Sequence, residues 1–301
     1  MTSHGSRRAG DLRLRAESSS RYYDVVLSSG FLAFGAHLGF VSACDRVLCR
    51  SNKQRLRGVM GTSSGAITGA LLAAGKSPIE MQEIIEAKKP LDLLDLAMRD
   101  GGLYSMNKLV DYLNLYLPET FEQLQHPFAV GVVDAVTRRY RIIASGPLAP
   151  AIVASAAVPL LFVPMRIGER SYIDGGVVER VGIGRWRNYI NSRAGRSRMH
   201  AFVSSSEDRD SIHRDGKSTR PQSYDATPAI VHMVKRSSQF SGAEDAAGRR
   251  NRENVVVVSS KNADFFRTSL ANMGDLASAK DATEENATRI LTASCGTTPR
   301  C

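Results

Sequence analysis

The chain is poor in cysteine, in tryptophan and in uninterrupted apolar sequence. Its 301 residues include 4 Cys, at positions 44, 49, 295 and 301. So few thiols in so long a chain cannot staple a disulfide scaffold. Their C-x4-C and C-x5-C spacings are not the CxxC hooks of a structural zinc site, and no CxxC occurs. Reduced thiols in an intracellular protein, cytoplasmic or organellar (plastid included), are the expectation. The longest uncharged stretch, Leu148 to Met165, is broken by Pro150, Pro159 and Pro164. A membrane-spanning helix needs roughly 20 mainly apolar residues, so this stretch reads as buried core. Residues 1–21 contain no apolar run of the kind a secretory signal requires. They are basic and Ser-rich, and 1–20 reads as a disordered tail or the remnant of a transit peptide. Nucleotide-binding fingerprints are missing too: there is no G-x-G-x-x-G and no G-x-x-x-x-G-K-[ST].

What is present is an ordinary globular composition, 43% hydrophobic and 23% charged, read as one domain over residues 21–301. The formal charge is +10 with a pI near 9.7. Two segments, 1–60 and 180–220, carry the excess, at +6 each. The second mixes Arg with Ser, Gly and acids, without the interleaved aromatics of a nucleic-acid surface. A nucleic-acid partner is not expected. A solvated loop accounts for the segment, and attraction to an anionic membrane would add about 1 kcal/mol per basic residue held close to it.

Apolar runs rich in β-branched residues predict strands at Tyr22–Leu27, up to Val59-Met60, and over 128–133, 140–144, 162–165, 171–173, 201–204 and 255–259. Helical spacing predicts helices from about Phe34 to Leu48, after Gly65, and over 78–88, 105–115, 148–157 and 275–292. Strands alternating with helices imply an α/β fold with a largely parallel sheet.

Three turns carry chemical meaning. Gly61-Thr62-Ser63-Ser64-Gly65 fits G-x-S-x-G between a strand and a helix, the setting of a nucleophile elbow, and makes Ser63 the candidate nucleophile. The bland alternative is a Gly/Ser turn that caps a helix. Ser28-Ser29-Gly30-Phe31-Leu32 is a small-residue turn able to aim backbone N–H groups at an oxyanion. Asp174, in Tyr172-Ile173-Asp174-Gly175-Gly176, closes a strand, where a carboxylate can take a hydroxyl proton. Taken alone it is an ordinary Asp-Gly turn.

In order, SSGFLAFGAHLG, GTSSG, ASAAVPLLFVP (154–164) and DGG resemble the patatin-like phospholipase family over roughly residues 22–185. The resemblance implies a three-layer α/β/α fold and a Ser–Asp dyad, with Ser63 as nucleophile and Asp174 as base. The backbone of Gly30, Phe31, Leu32 and Ser64 would form the oxyanion hole. It implies fatty-acyl ester hydrolysis of phospholipids, galactolipids or acylglycerols at a membrane or lipid-droplet surface, with peripheral contact and no metal or cofactor. The usual G-G-G-x-[KR]-G loop keeps only Gly30 here, and its basic residue is gone. Apolar Phe31, Leu32, Phe34, Leu160, Leu161 and Phe162 either line an acyl groove or belong to the core. Two other readings remain. One is a Ser–Asp–His esterase drawing on His200, His213 or His232. The other is a patatin-like domain that binds lipid without turnover. His37 reads as a residue packed within its helix.

Overall fold

The computed structural model describes residues 22–30, 32–194, 200–205, 254–259 and 276–295. The expected tail, Phe31, His213, His232 and most of the basic segment after residue 194 lie outside these residues.

Among the described residues the main sheet has eight strands. At its centre β1 (Tyr22–Leu27) lies parallel to β2 (Arg55–Gly61), and β2 lies parallel to β5 (Phe128–Asp134). Beyond β1 come β10 (His200–Ser205) and β11 (Asn254–Ser259), also parallel. Beyond β5 the direction reverses. β6 (Tyr140–Ile143) and β9 (Arg170–Asp174) pair antiparallel to β5, and β8 (Met165–Ile167) forms a hairpin with β9.

Alternation along the central strands divides the core. Val25, Leu27, Val59, Val130 and Val132 pack on one face of the sheet, and Val26, Met60, Ala129, Val133 and Ile173 on the other. The first face is covered by α1 (Phe34–Cys44), α2 (Ser64–Ala73) and α5 (Leu148–Ser155), with α7 (Leu276–Cys295) packed on α1. Trp186 and Ile190 of α6 (Ile183–Ala194) cover the second face. The result is the expected three-layer arrangement, with strands that are apolar on both faces as buried parallel strands must be. Among the described residues no helix is long and apolar enough to cross a membrane.

The boundaries moved where local chemistry was hidden from the sequence. β2 begins at Arg55, four residues before the apolar run, because Arg57 forms a bidentate ion pair with the fully buried Asp24 of β1. Beyond Cys44, α1 continues as a π-helical segment over Asp45–Ser51. Helix α3 (Pro78–Glu86) starts as its capping box dictates: the Ser77 N–H donates to Glu80 Oε2 at 2.8 Å, and the Glu80 N–H returns a bond to Ser77 Oγ.

A second sheet was not foreseen. It orders β3 (Asp95–Arg99), β4 (Gly102–Ser105) and β7 (Leu160–Phe162). Arg99 pairs with Gly102 across Asp100-Gly101, whose φ angles of 51° and 77° are both positive, as a tight type I′ hairpin requires. Helix α4 (Asn107–Asn114) follows directly.

Candidate active site

Everything at the site converges on three residues of β5. Gly61, the last residue of β2, lies opposite Val130, and Asp174, the last residue of β9, lies opposite Val132. Two strand ends that approach β5 in opposite senses therefore meet, and Ser63 and Asp174 become neighbours.

Ser63 occupies the turn between β2 and α2 with φ 56° and ψ −122°. A β-carbon-bearing residue pays of order 1–3 kcal/mol for such a conformation, so the surroundings must enforce it. They do so through crowding. A Cβ on Gly61 would stand 2.4 Å from the Gly65 carbonyl oxygen, and one on Gly65 would stand 2.3 Å from that of Leu27. Only glycines let the elbow pack this close to β1 and to itself. A hydrogen bond fixes the other side. The Ser63 N–H donates to Ser155 Oγ at 3.0 Å, and Ser155 Oγ donates to the Gly131 carbonyl at 2.6 Å. Gly131 sits between the two β5 residues that face Gly61 and Asp174, so one fully buried hydroxyl ties the elbow to the strand that positions the carboxylate.

Asp174 is fully buried. Oδ1 accepts the Gly176 N–H at 2.7 Å, while Oδ2 has no hydrogen-bond partner. Burial pushes the carboxyl pKa up from 3.8 to about 6, against the smaller downward pulls of the Ser63 hydroxyl, the Gly176 N–H and the Arg180 charge. An acceptor oxygen left free beside a serine, on a carboxyl that titrates near neutral pH, is able to take a proton.

The small-residue loop after β1 is pinned to the elbow. Ser64 Oγ donates to the Gly30 carbonyl, which also accepts the Ala33 N–H at 3.0 Å. His37 Nε2 donates to the Ser28 carbonyl at 3.1 Å and lies 3.5 Å from Ser64 Oγ. Burial lowers the His37 pKa to about 4, which keeps the ring neutral. From the far side, the Ser29 N–H donates to the Arg180 carbonyl at 2.7 Å. Leu32 sits at φ 54°.

Ser63 and Ser64 open onto an apolar cavity of about 120 Å³. Leu32, Phe34 and Phe162 line it, as do Ile84 and Ile85 of α3 and Leu109 and Leu113 of α4. Leu160 and Leu161 do not: Leu160 is exposed, and Leu161 packs at the edge of the core. Gly30 is buried beside the cavity without lining it.

Sequence reasoning named Ser63, Ser64, Asp174 and the loop, but not Ser155 or Arg180. Ser155 was visible only as the one polar residue inside the apolar helix of ASAAVP. Arg180 shows no signal of its own in the sequence. Of the histidines weighed as triad members, His200 opens β10. Ser204, further along the same strand, lies level with Leu27, and Leu27 with Gly61. His200 is thus four residues, roughly 13 Å, toward the wrong end of the sheet.

A strained serine at a strand–helix elbow, a buried carboxyl beside it and an apolar cavity in a three-layer α/β/α frame define a class of sites in which a serine and a carboxyl open onto apolar space. The chain belongs to the patatin-like phospholipase family, whose profile matches residues 25–184. It is 29% identical over 171 residues to uncharacterized NTE family proteins from Mycobacterium bovis and Mycobacterium tuberculosis. That alignment covers 56% of this chain and 46% of theirs, so the chain spans about half the length of the curated relatives it matches. The crystal structure of VipD from Legionella pneumophila shares the fold, with a TM-score of 0.51 at 14% identity, covering 91% of this chain and 67% of that one. Lipid acyl hydrolysis is the activity supported at the level of the family.

Proposed function

We propose that the chain hydrolyses fatty-acyl esters of phospholipids or other glycerolipids through an acyl-enzyme on Ser63. Asp174 Oδ2 takes the hydroxyl proton as Ser63 Oγ forms a bond to the ester carbonyl carbon. The resulting oxyanion is held by backbone N–H groups of Ser64 and of the Gly30, Phe31 and Leu32 loop. Collapse of the tetrahedral intermediate breaks the bond to the alcohol, and the protonated Asp174 returns its proton to that leaving oxygen. Water, deprotonated by the same carboxylate, then attacks the acyl-enzyme; as the bond between the acyl carbon and Ser63 Oγ breaks, Asp174 returns its proton to Ser63 Oγ and the fatty acid is freed. No third residue is needed to carry charge, because the carboxyl itself titrates near neutral pH.

The observation that carries this reading is the free Oδ2 of a buried Asp174 beside a strained Ser63 at the mouth of an apolar cavity. The cavity would take the acyl chain and leave the headgroup outside. The test is fatty-acid release from a panel of phospholipids, galactolipids and acylglycerols by the full chain, compared with Ser63→Ala and with His200→Ala, His213→Ala and His232→Ala. Activity that needs Ser63 and survives all three histidine changes supports the dyad. Loss with any one of the histidines in a folded protein supports a triad instead. No release from any lipid by the folded wild-type chain supports binding without turnover.

A further inference from the structure

Among the described residues ten large apolar side chains stand exposed, and five of them gather around the small sheet: Leu91, Leu96, Met98, Leu103 and Leu160. Leu96 and Met98, on the edge strand β3, are 71% and 72% exposed. Soluble proteins scatter such residues singly, and a cluster signals something that covers it. Asp100-Gly101 forms the hairpin tip, with open space around the site of a Gly101 Cβ.

The cluster is continuous with the cavity. In the sheet register Leu96 stands opposite Tyr104, and Tyr104 opposite Phe162, which lines the cavity that Ser63 and Ser64 share. On the other flank Lys88, Pro90, Leu93 and Leu94 line the cavity, while Leu91 within that run faces out. Lys88, Lys89 and Arg99 are exposed and form no ion pair among the described residues, as is true of Asp92 and Asp100 beside them, whereas nearby Lys108 is paired with Asp95. Exposed apolar side chains with cations in slight excess at their fringe match a bilayer with anionic headgroups.

We propose that the β3–β4 hairpin, with Leu91 and Leu160 beside it, is the surface by which the protein docks on an anionic lipid interface. This rests on the hydrolase reading only for its purpose. An acyl chain leaving the interface here enters beside the mainly apolar cavity that Ser63 shares. Leu96 and Met98 enter the apolar layer, and the three cations sit at headgroup level.

The experiment is co-sedimentation of the full chain with vesicles of phosphatidylcholine containing a third of phosphatidylglycerol. It compares wild type with the double variant Leu96→Ser, Met98→Ser, with Val136→Ser and with Ser63→Ala. Val136 is 85% exposed on the turn after β5 and serves as the control. The double variant is expected to bind at least roughly tenfold more weakly, since each large apolar group withdrawn from lipid is worth about that much. Val136→Ser and Ser63→Ala are expected to bind as wild type. Because neither Leu96 nor Met98 lines the cavity, the double variant keeps its rate on a soluble short-chain ester and loses rate only on vesicles.

The proposal is overturned if wild type does not bind vesicles or the double variant binds as well as wild type. It is also overturned if Val136→Ser weakens binding equally, or if wild type is a dimer that the double variant splits, since the patch would then face a second copy. The two readings separate cleanly. Patch-dependent binding without any ester hydrolysis sinks the hydrolase, and hydrolysis of soluble ester without vesicle binding sinks the docking surface.

Discussion

The elbow around Ser63 and the small sheet that carries Leu96 and Phe162 both border one cavity and are built by opposite rules. At the elbow almost every contact is a backbone or hydroxyl atom at a fixed distance: Ser63 N–H on Ser155, Ser155 on Gly131, Ser64 on Gly30, Gly176 on Asp174. Two glycines are crowded against backbone that cannot move. On the small sheet Leu96, Met98 and Leu103 stand exposed instead. Chemistry on the first side would depend on placement, and the proposed lipid docking on the second on exposed apolar area and charge. Substitutions should therefore be nearly all-or-none at the elbow and graded along the cavity.

The largest effect belongs to the dyad. Ser63→Ala and Asp174→Asn should each lower lipid hydrolysis by roughly three to four orders of magnitude, read as fatty acid released per minute. Asp174→Asn should do so while stabilising the fold. The folded Asp174 titrates near 6 and the unfolded residue near 3.9, so between those values the folded chain holds a proton that the unfolded chain has released. Raising pH through that window therefore costs stability, about 2–3 kcal/mol in all. His37 acts in the reverse sense. Its folded pKa of about 4 lies below an unfolded value near 6.5, so its contribution is lost as pH falls from 6.5 to 4. The two act in opposite senses over much the same pH range. Relative to wild type, the urea midpoint of Asp174→Asn should therefore climb between pH 4 and 6.

Next comes Gly65→Ala, whose new Cβ meets the Leu27 carbonyl at 2.3 Å. Backbone against backbone cannot yield as a side-chain tip can, and a loss of at least about 2 kcal/mol in denaturant unfolding is expected. Ser155→Ala leaves the Ser63 N–H and the Gly131 carbonyl without their bridge. It should cost about 1–3 kcal/mol of stability and slow acylation roughly tenfold with little change in KM, whereas Ser155→Thr should restore much of the rate. The smallest effect is on the cavity wall. Ile85→Ala, on α3, should lower kcat/KM for long acyl chains several-fold and leave short chains nearly untouched, a shift worth about 1–2 kcal/mol. A uniform collapse at Ile85, or a mild response at Gly65, would erase the contrast between the two sides.

That same contrast decided what the sequence revealed. The elbow was legible because its geometry demands particular residues: glycines where chains touch, a serine between them and a carboxylate at a strand end. The main sheet was legible because its strands are apolar on both faces. Ser155 was hidden because its role is a contact between α5 and residues about 24 and 92 positions away, which no spacing encodes. The start of β2 was hidden because Arg57 looks like surface until Asp24 is found buried beside it. The small sheet was hidden because DLAMRDGGLYS turns its apolar residues outward, where pattern reading expects a polar loop. The Asp-Gly pair was the one signal that could have found it.

The most direct test is the rate at which a fluorophosphonate labels the full chain as a function of pH, with the modified peptide identified. The structure predicts label on Ser63 alone, at a rate that rises about tenfold per unit below pH 6 and levels above it as Asp174 loses its proton. Asp174→Asn should remain unlabelled while folded. Label on a different serine, or Ser63 labelled as fast in Asp174→Asn as in wild type, would contradict the dyad.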